Sequence, residues 1–322
     1  MSNYEIIPVM VDVSSNLKSI NFYIIKMENS VVLVDAGLDN DDCWTALQHT
    51  LSENGFTVQD ITEIVLTHNH GDHIGLVNRI TAMHPIPVYA HEAAVPRLKR
   101  DRDFFRMRVE FFAEIYEQMG CGEAGHKQVE YLKQAMLKGS NSAIHTDISP
   151  IGRNHLGFQV IHVPGHAEDQ IALYHEADRI LIAGDLLIQH ISSNALIEPD
   201  ITGKRIPTLI QHKHSLEKVR DLPLDLVYPG HGKLIDEPKS LVAHRLASME
   251  RKAERFKNLI RDGMTTGSEI ARNYYKKLYT TQFSLVMSEV IGHLDYLEQS
   301  QQIRKEKRNG IWHYMIVESS KH

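Results

Sequence analysis

Thr67-His68-Asn69-His70-Gly71-Asp72-His73 sets three imidazoles and a carboxylate in one short run. Four potential metal ligands fall within six residues, directly after the apolar run Ile64-Val65-Leu66 and before Ile74-Gly75-Leu76. Imidazoles and a carboxylate together suit a borderline divalent ion such as zinc. The spacing of His68 and His70 lets both rings leave an extended segment on the same side. Whether the cluster is a complete site depends on further ligands elsewhere in the chain.

Upstream, strands are predicted over Ile6–Val13, Ile20–Lys26 and Val31–Asp35, where β-branched and aromatic residues dominate and Glu28-Asn29-Ser30 supplies a turn. A helix follows over Asp41–Asn54, with Trp44, Leu47 and Leu51 at helical spacing and Gly55 as its stop. Ile61–Thr67 is a short strand that ends at the histidines. Downstream, a helix over Gly75–Met83 is halted by Pro85, and Ile86–Ala90 resumes as a strand. From about 92 to 140 the period becomes helical, with Phe105, Val109, Phe112, Tyr116 and Met119 on one face, then Val129, Leu132 and Met136. This reads as a helical insertion that either packs over a sheet edge or forms a lid. Strands return at Phe158–Val163, Ile171–Tyr174, Arg179–Ala183 and Leu224–Tyr228, and Ala195–His214 reads as a loop.

Three of those four strands end in a polar signature: Pro164-Gly165-His166, Gly184-Asp185 and Pro229-Gly230-His231. Loops that leave one edge of a layered α/β sheet converge, so these residues can meet the cluster across more than 150 positions. The candidate ligands are then His68, His70, Asp72, His73, His166, Asp185 and His231. Seven exceed the four that one tetrahedral ion takes, which points to two ions and to a carboxylate shared between them. Two ions roughly 3.5 to 4 Å apart can hold a hydroxide and polarise a carbonyl or phosphoryl oxygen, and they lower the pKa of water from about 15.7 to near 7.

The whole chain bounds this reading. Its 322 residues, 42% hydrophobic and 24% charged, suit an ordinary folded protein with a main domain and an appendage. The two cysteines, Cys43 and Cys121, form no CxxC pair and imply neither a disulfide framework nor a thiolate site. No secretory signal opens the sequence and no apolar run reaches the roughly 18 to 20 residues of a membrane span, so a cytoplasmic location is expected. The net charge of −6 is uneven: from Leu241 onward there are 14 Lys and Arg against 9 Asp and Glu. There a long amphipathic helix (Leu246, Met249, Ala253, Phe256, Leu259) is followed by a helix started at Thr265–Glu269. Another helix spans Leu285–Gln299, and a hairpin turns at Asn309-Gly310. Three helices and a basic hairpin make a winged-helix-like module.

The H-x-H-x-D-H stretch, the later lone His166, Asp185 and the His of Pro229-Gly230-His231-Gly232 resemble the metallo-β-lactamase superfamily, and Asp35-Ala36-Gly37 fits the Asp-x-Gly of its first sheet. The resemblance covers about residues 4 to 237. It implies an α/β fold, an αββα sandwich with the metals at one edge, interrupted by the helical insertion and followed by the winged-helix-like domain. On this reading 1–238 is the catalytic domain and 239–322 the C-terminal one. The resemblance further implies that His68, His70 and His166 hold one metal, Asp72, His73 and His231 the other, and that Asp185 bridges. The ions are zinc first, with manganese or iron as alternatives. Antibiotic-hydrolysing members generally carry a cysteine in place of Asp185, and diiron redox members a Glu in place of His70. What remains is similar to glyoxalase II-like hydrolases, in a subgroup with a winged-helix-like tail that includes thioesterase-like enzymes and some endoribonucleases.

The expected activity is a dinuclear metal-dependent hydrolase in which a metal-bridged hydroxide attacks a small thioester, ester or lactone. The alternative is a phosphodiesterase or endoribonuclease using the basic module. Asp72 can also orient the attacking group, and His190 and Asn194, close behind Asp185, can protonate the leaving group and touch substrate. His212 and His214 repeat the H-x-H spacing but have no neighbouring carboxylate and read as exposed residues before a helix at Ser215. A small molecule is the expected partner, RNA is not favoured, no membrane is expected, and the oligomeric state, a homodimer included, is open. The helix Leu285–Gln299 carries Glu289, Asp295 and Glu298 with no Lys or Arg, which argues against it as a nucleic-acid recognition helix.

Overall fold

A computed structural model describes residues 4–138 and 142–317. The chain opens with strands β1 (Tyr4–Asp12), β2 (Ser19–Met27) and β3 (Val31–Val34), helix α1 (Asp41–Glu53), strand β4 (Glu63–Val65), helices α2 (Gly71–Ile74) and α3 (Val77–Met83), and strand β5 (Val88–Ala90). Helices α4 (Val95–Leu98), α5 (Arg102–Gln118) and α6 (Gly122–Lys138) follow, then strands β6 (Ile148–Pro150), β7 (Asn154–His155), β8 (Phe158–His162), β9 (Ile171–His175) and β10 (Ile180–Gly184). After helix α7 (Thr208–Arg220) and strand β11 (Leu226–Pro229), helices α8 (Pro238–Arg261), α9 (Gly267–Tyr275), α10 (Leu278–Thr281) and α11 (Phe283–Gln299) lead to strands β12 (Ile303–Arg308) and β13 (Ile311–Ile316). Among the described residues no helix is long and apolar enough to cross a membrane.

Two compact units emerge, and neither is continuous in sequence. One comprises Met1–Lys99, Ala143–Ser193 and Ser215–Val242; the other comprises Arg100–Ser142, Asn194–His214 and Ala243–His322. The sequence reading put the boundary at 238/239 and treated the helices of 92–140 as an insertion into the first domain. By their packing, α5 and α6 group with the C-terminal helices instead.

The first unit contains two sheets. One has the order β1-β2-β3-β4-β5-β6, antiparallel across β1 to β3 and parallel from β3 to β6; the other has the order β11-β10-β9-β8-β7, antiparallel except for the parallel pair of β10 and β11. Strand β2 shows why they stack. Ile20, Phe22 and Ile24 join a core with Trp44, Leu47 and Leu51 of α1 and Val77 and Ile80 of α3, while the intervening Tyr23 and Ile25 meet Phe158, Ile171, Leu173 and Ile182 of the second sheet. Strand β3 divides the same way, Val31 and Leu33 to the helices and Val32 and Val34 to the facing sheet. A strand covered on both faces is apolar at every position, which is why its sequence does not alternate. Helix α1 starts where Asn40 Oδ1 accepts the Cys43 amide (2.9 Å), with Asp41 and Asp42 in its first turn.

The second unit has one core. Val109, Phe112, Ile115, Tyr116 and Met119 of α5 pack with Phe256 and Ile260 of α8, Ile270 of α9, Val286, Met287, Val290 and Leu294 of α11, and Ile303 and Tyr314 of the hairpin. The start signal at Thr265–Glu269 is a complete capping box: Thr266 Oγ1 accepts the Glu269 amide and Glu269 Oε2 accepts the Thr266 amide. The expected loop over Ala195–His214 is overturned in part, since α7 begins at Thr208, directly after Pro207, whose carbonyl accepts the Gln211 amide (3.0 Å). His212 is accordingly a buried helical residue and not an exposed one, while His214 is exposed.

Candidate metal centre

All seven ligand candidates lie in the first unit, each in a segment that leaves the C-terminal end of a strand: His68 to His73 after β4, His166 after β8, Asp185 after β10 and His231 after β11. The structure brings all seven together. His70 Nδ1 stands 3.0 Å from His68 Nε2 and 2.9 Å from His166 Nε2. One proton on His70 could satisfy one of those two nitrogens, not both. A tetrahedral ion with bonds of about 2.1 Å separates its ligand atoms by roughly 3.4 Å, and His68 Nε2 and His166 Nε2 each stand a few tenths of an ångström inside that spacing from His70 Nδ1.

A second trio lies beside the first. Asp72, His73 and His231 face one another, with His231 Nε2 at 3.5 Å from Asp72 Oδ2 and His73 Nε2 at 4.0 Å from Asp72 Oδ1. Asp185 reaches both trios: it is 3.4 Å from His166 Nε2, 3.4 Å from His73 Nε2 and 3.2 Å from His231 Nε2. His73 Nε2, Asp185 Oδ1 and His231 Nε2 are buried without a hydrogen bond. Buried polar atoms are rarely left so, and aimed at a common point they are what a divalent cation requires. The donor set, five imidazoles and two carboxylates with no thiolate, fits a pair of borderline divalent ions.

The candidate ligands are held by residues to which the sequence analysis gives no such task. His73 Nδ1 donates to Asp35 Oδ2 (2.8 Å), and the same carboxylate accepts the Thr67 amide (2.7 Å) and the Thr67 hydroxyl (2.8 Å). Asp35 adopts a positive φ of 61°, a conformation that Asp tolerates better than most side chains. The Asp-x-Gly pattern had marked this residue as part of the first sheet, but its role as the orienter of His73 needs the fold. His231 Nδ1 donates to the Ser19 carbonyl (2.8 Å), which leaves Nε2 facing Asp72 and Asp185. Around it, Asn21 Nδ2 donates to the carbonyls of Pro229 (3.0 Å) and Gly232 (2.8 Å), and Tyr23 Oη donates to Pro229 O (2.6 Å). Strand β2 thereby fixes the loop that carries His231, and no local sequence signal marks Ser19, Asn21 or Tyr23 for that task.

Two glycines are dictated by close approach. A Cβ on Gly230 would lie 2.3 Å from Asp185 Oδ1, and one on Gly184, whose φ is +49°, would lie 2.7 Å from Thr67 Oγ1. Electrostatics agree with the geometry. Burial, reinforced by the neighbouring His73 and His70, pushes His68 well below the ordinary imidazole pKa, so it is a neutral lone-pair donor. Burial pulls His73 down as well, but Asp35 and Asp185 outweigh it and hold a positive charge there. Burial would raise Asp185, yet His73 and His231 keep it well below the usual carboxylate range. A place that favours a proton on His73 Nε2 favours a metal cation by the same charges.

His190 also lies in this unit. Its Nε2 donates to the Asn16 carbonyl (2.8 Å), and its ring packs over Gly232, where a Cβ would come within 2.7 Å of Nδ1. Asn194 falls in the other unit and Ser193 Oγ, next to it, donates to the Asp185 carbonyl. Asp169, fully buried, accepts a bond from Asn69 Nδ2 (2.5 Å); burial pushes its carboxyl up to about 6 against the pull of Asn69 and Arg97.

Comparisons with known proteins agree with this geometry. The family model described as Metallo-beta-lactamase superfamily matches residues 16–231. The chain is 28% identical over 306 residues to the probable metallo-hydrolase YqjP of Bacillus subtilis, covering 94% of this chain and 95% of that one. It is 26% identical over 268 residues to the beta-lactamase-like protein 2 homolog of Caenorhabditis elegans, covering 80% and 72%. Among solved structures it is similar to the metallo-beta-lactamase family protein TTHA1429 of Thermus thermophilus, with a TM-score of 0.76 and 25% identity over 97% of this chain and 98% of that one. A beta-lactamase domain protein of Burkholderia ambifaria shares the fold at a TM-score of 0.76 and 18% identity, over 97% and 92%.

Proposed function

Because the chain belongs to the metallo-beta-lactamase superfamily, we propose that it is a hydrolase that works with two divalent ions, zinc first, on a small thioester, ester or lactone. The observation that carries this reading is the approach of His68 Nε2 (3.0 Å) and His166 Nε2 (2.9 Å) to His70 Nδ1, beside a second trio in which His73 Nε2 and His231 Nε2 are buried without a hydrogen bond. His68, His70 and His166 would hold one ion, Asp72, His73 and His231 the other, with Asp185 between them. Bound there, divalent ions supply Lewis acidity to the scissile carbonyl and bring the pKa of water toward neutrality.

The chain's own groups supply the rest. Asp72 is half-buried, and one of its oxygens can face the metal while the other takes a proton from the attacking water. His190, anchored through Nε2, keeps Nδ1 to carry the proton delivered to the leaving group. Catalysis belongs to the unit that holds the seven ligands, and 239–322, winged-helix-like in its order of helices and hairpin, has a structural role.

Support for a small acyl substrate over RNA comes from the tail itself. Lys305 Nζ bonds Glu298 (2.6 Å) and Arg308 bonds Glu306 (3.1 Å), so much of the hairpin's basic charge is internally paired. Ten residues of α11 are buried, including Val286, Val290 and Leu294, so that helix does not offer a free recognition face. The test is a panel of thioesters, lactones, phosphodiesters and RNA run with metal-analysed protein and an Asp185→Asn control. Turnover of an acyl substrate that falls about 10²-fold or more in the control is the expected result. Cleavage of RNA or phosphodiesters without acyl turnover would replace this reading with the nuclease one.

A further inference from the structure

The middle residue of the first histidine pair has work of its own. His68 and His70 turn their rings to each other, 4.6 Å between centroids, while Asn69 between them bonds Asp169 Oδ1 (2.5 Å) across a hundred residues. Asp169 is only three positions beyond His166, the third member of the first trio. It is 1% exposed, and its other oxygen, Oδ2, is buried without a hydrogen bond. The bond therefore joins the two segments, 68–70 and 166–169, whose side chains compose that trio. A parallel backbone bond, Ile171 N to Thr67 O (2.9 Å), ties the same segments one step further from the ligands.

The surroundings make the link stiff. Arg97, itself buried, pairs with Glu168 (2.8 Å) and donates to the Ala93 carbonyl (3.1 Å), and its charge acts on Asp169. An amide donating to a carboxylate out of water is a charge-assisted bond, stronger than one between neutral groups. The second trio has separate supports, Asp35 for His73 and the Ser19 carbonyl for His231.

We propose that Asn69 and Asp169 are positioning residues for one ion only: their bond sets the approach of His68 and His70 to His166 and does not act on Asp72, His73 and His231. The proposal rests on the two-ion reading above. Loss of a group that orients ligands typically costs 10- to 100-fold in metal affinity, and here the cost should fall on one binding step.

The experiment uses full-length protein stripped of metal and titrated with Zn(II) against a chromophoric chelator, then with Co(II) to follow its visible bands. His231→Ala, which removes a ligand of the second trio, identifies the step belonging to that trio. Asn69→Ala and Asp169→Ala should each weaken the other step by about 10- to 100-fold and alter its Co(II) bands, with the second trio's step unchanged. Asp169→Asn keeps an acceptor oxygen for Asn69 with nearly the same shape and should recover part of the affinity lost in Asp169→Ala. That selectivity separates positioning from general loosening, which would lower both steps and the melting temperature of the metal-free protein together. Uniform loss, or no loss, in Asn69→Ala and Asp169→Ala would overturn the proposal while leaving the two-ion reading intact. Wild-type protein that took up only one ion would overturn both.

Discussion

Gly230→Ala is the smallest change that should disable the centre. The new methyl group would stand 2.3 Å from Asp185 Oδ1 and 2.7 Å from His73 Cε1, where real Cβ contacts do not fall below 3.0 Å. Asp185 must therefore move by at least about 0.7 Å, or the Pro229–His231 backbone must retreat. Retreat is opposed by the Gly230 N to Gly184 O bond (2.8 Å), by the Asn21 N to Gly230 O bond (2.8 Å) and by the Asn21 side chain. Among the described residues Asp185 is the one carboxylate within 3.4 Å of His73, His166 and His231, and ligand geometry must be kept within about 0.5 Å. The variant should lose about 10²-fold in turnover and 10- to 100-fold in metal affinity, with an overpacking cost of about 1–3 kcal/mol. Metal titration and chemical denaturation of the same preparation measure both. Gly71→Ala, whose added Cβ meets nothing within 4 Å, is the control. Gly230→Ala protein that kept both ions and its activity to within about twofold would refute the argument from close approach.

Other outcomes follow from the same structure. Because the ions would bind the folded chain and not the unfolded one, chelation should lower the melting temperature and re-addition of zinc should restore it in a concentration-dependent way; a melting temperature indifferent to chelator would count against the centre. His293 is buried with Nδ1 bonded to the Glu289 carbonyl (2.8 Å), and burial, more than Glu289 can offset, depresses its pKa below the ordinary 6.5. The unfolded chain then takes up a proton that the folded one resists, so stability should fall as pH drops below about 6.5. His293→Phe should flatten the urea midpoint between pH 7.5 and 5.5, and an unchanged slope would mean that other groups dominate. Phe256→Ala, at a side chain with no exposure in the second unit's core, should cost about 3–5 kcal/mol in denaturant titration.

Sequence alone named the candidate ligands, because each sits in a local pattern that survives without coordinates. The dense run from His68 to His73 follows an apolar strand, and His166, Asp185 and His231 each follow a strand end in a glycine-bearing turn. Most strands and helices were legible for similar reasons, from Trp44, Leu47 and Leu51 at helical spacing in α1 to Asn309-Gly310 turning the hairpin. Helix α7 was not, because Leu209 and Ile210 are followed by the polar run Gln211-His212-Lys213-His214-Ser215, and the one local signal was Pro207 at its start. Tertiary structure alone decided the rest. Asp35, Ser19, Asn21 and Asp169 bond residues of the segments that carry the candidate ligands, between 32 and 212 positions away, and a hydrogen bond across such distances leaves no trace in spacing. The partner of the α5 stripe was likewise open, since an apolar face states that it will be buried and not against what. Its packing with α8, α11 and the hairpin came only from the folded chain.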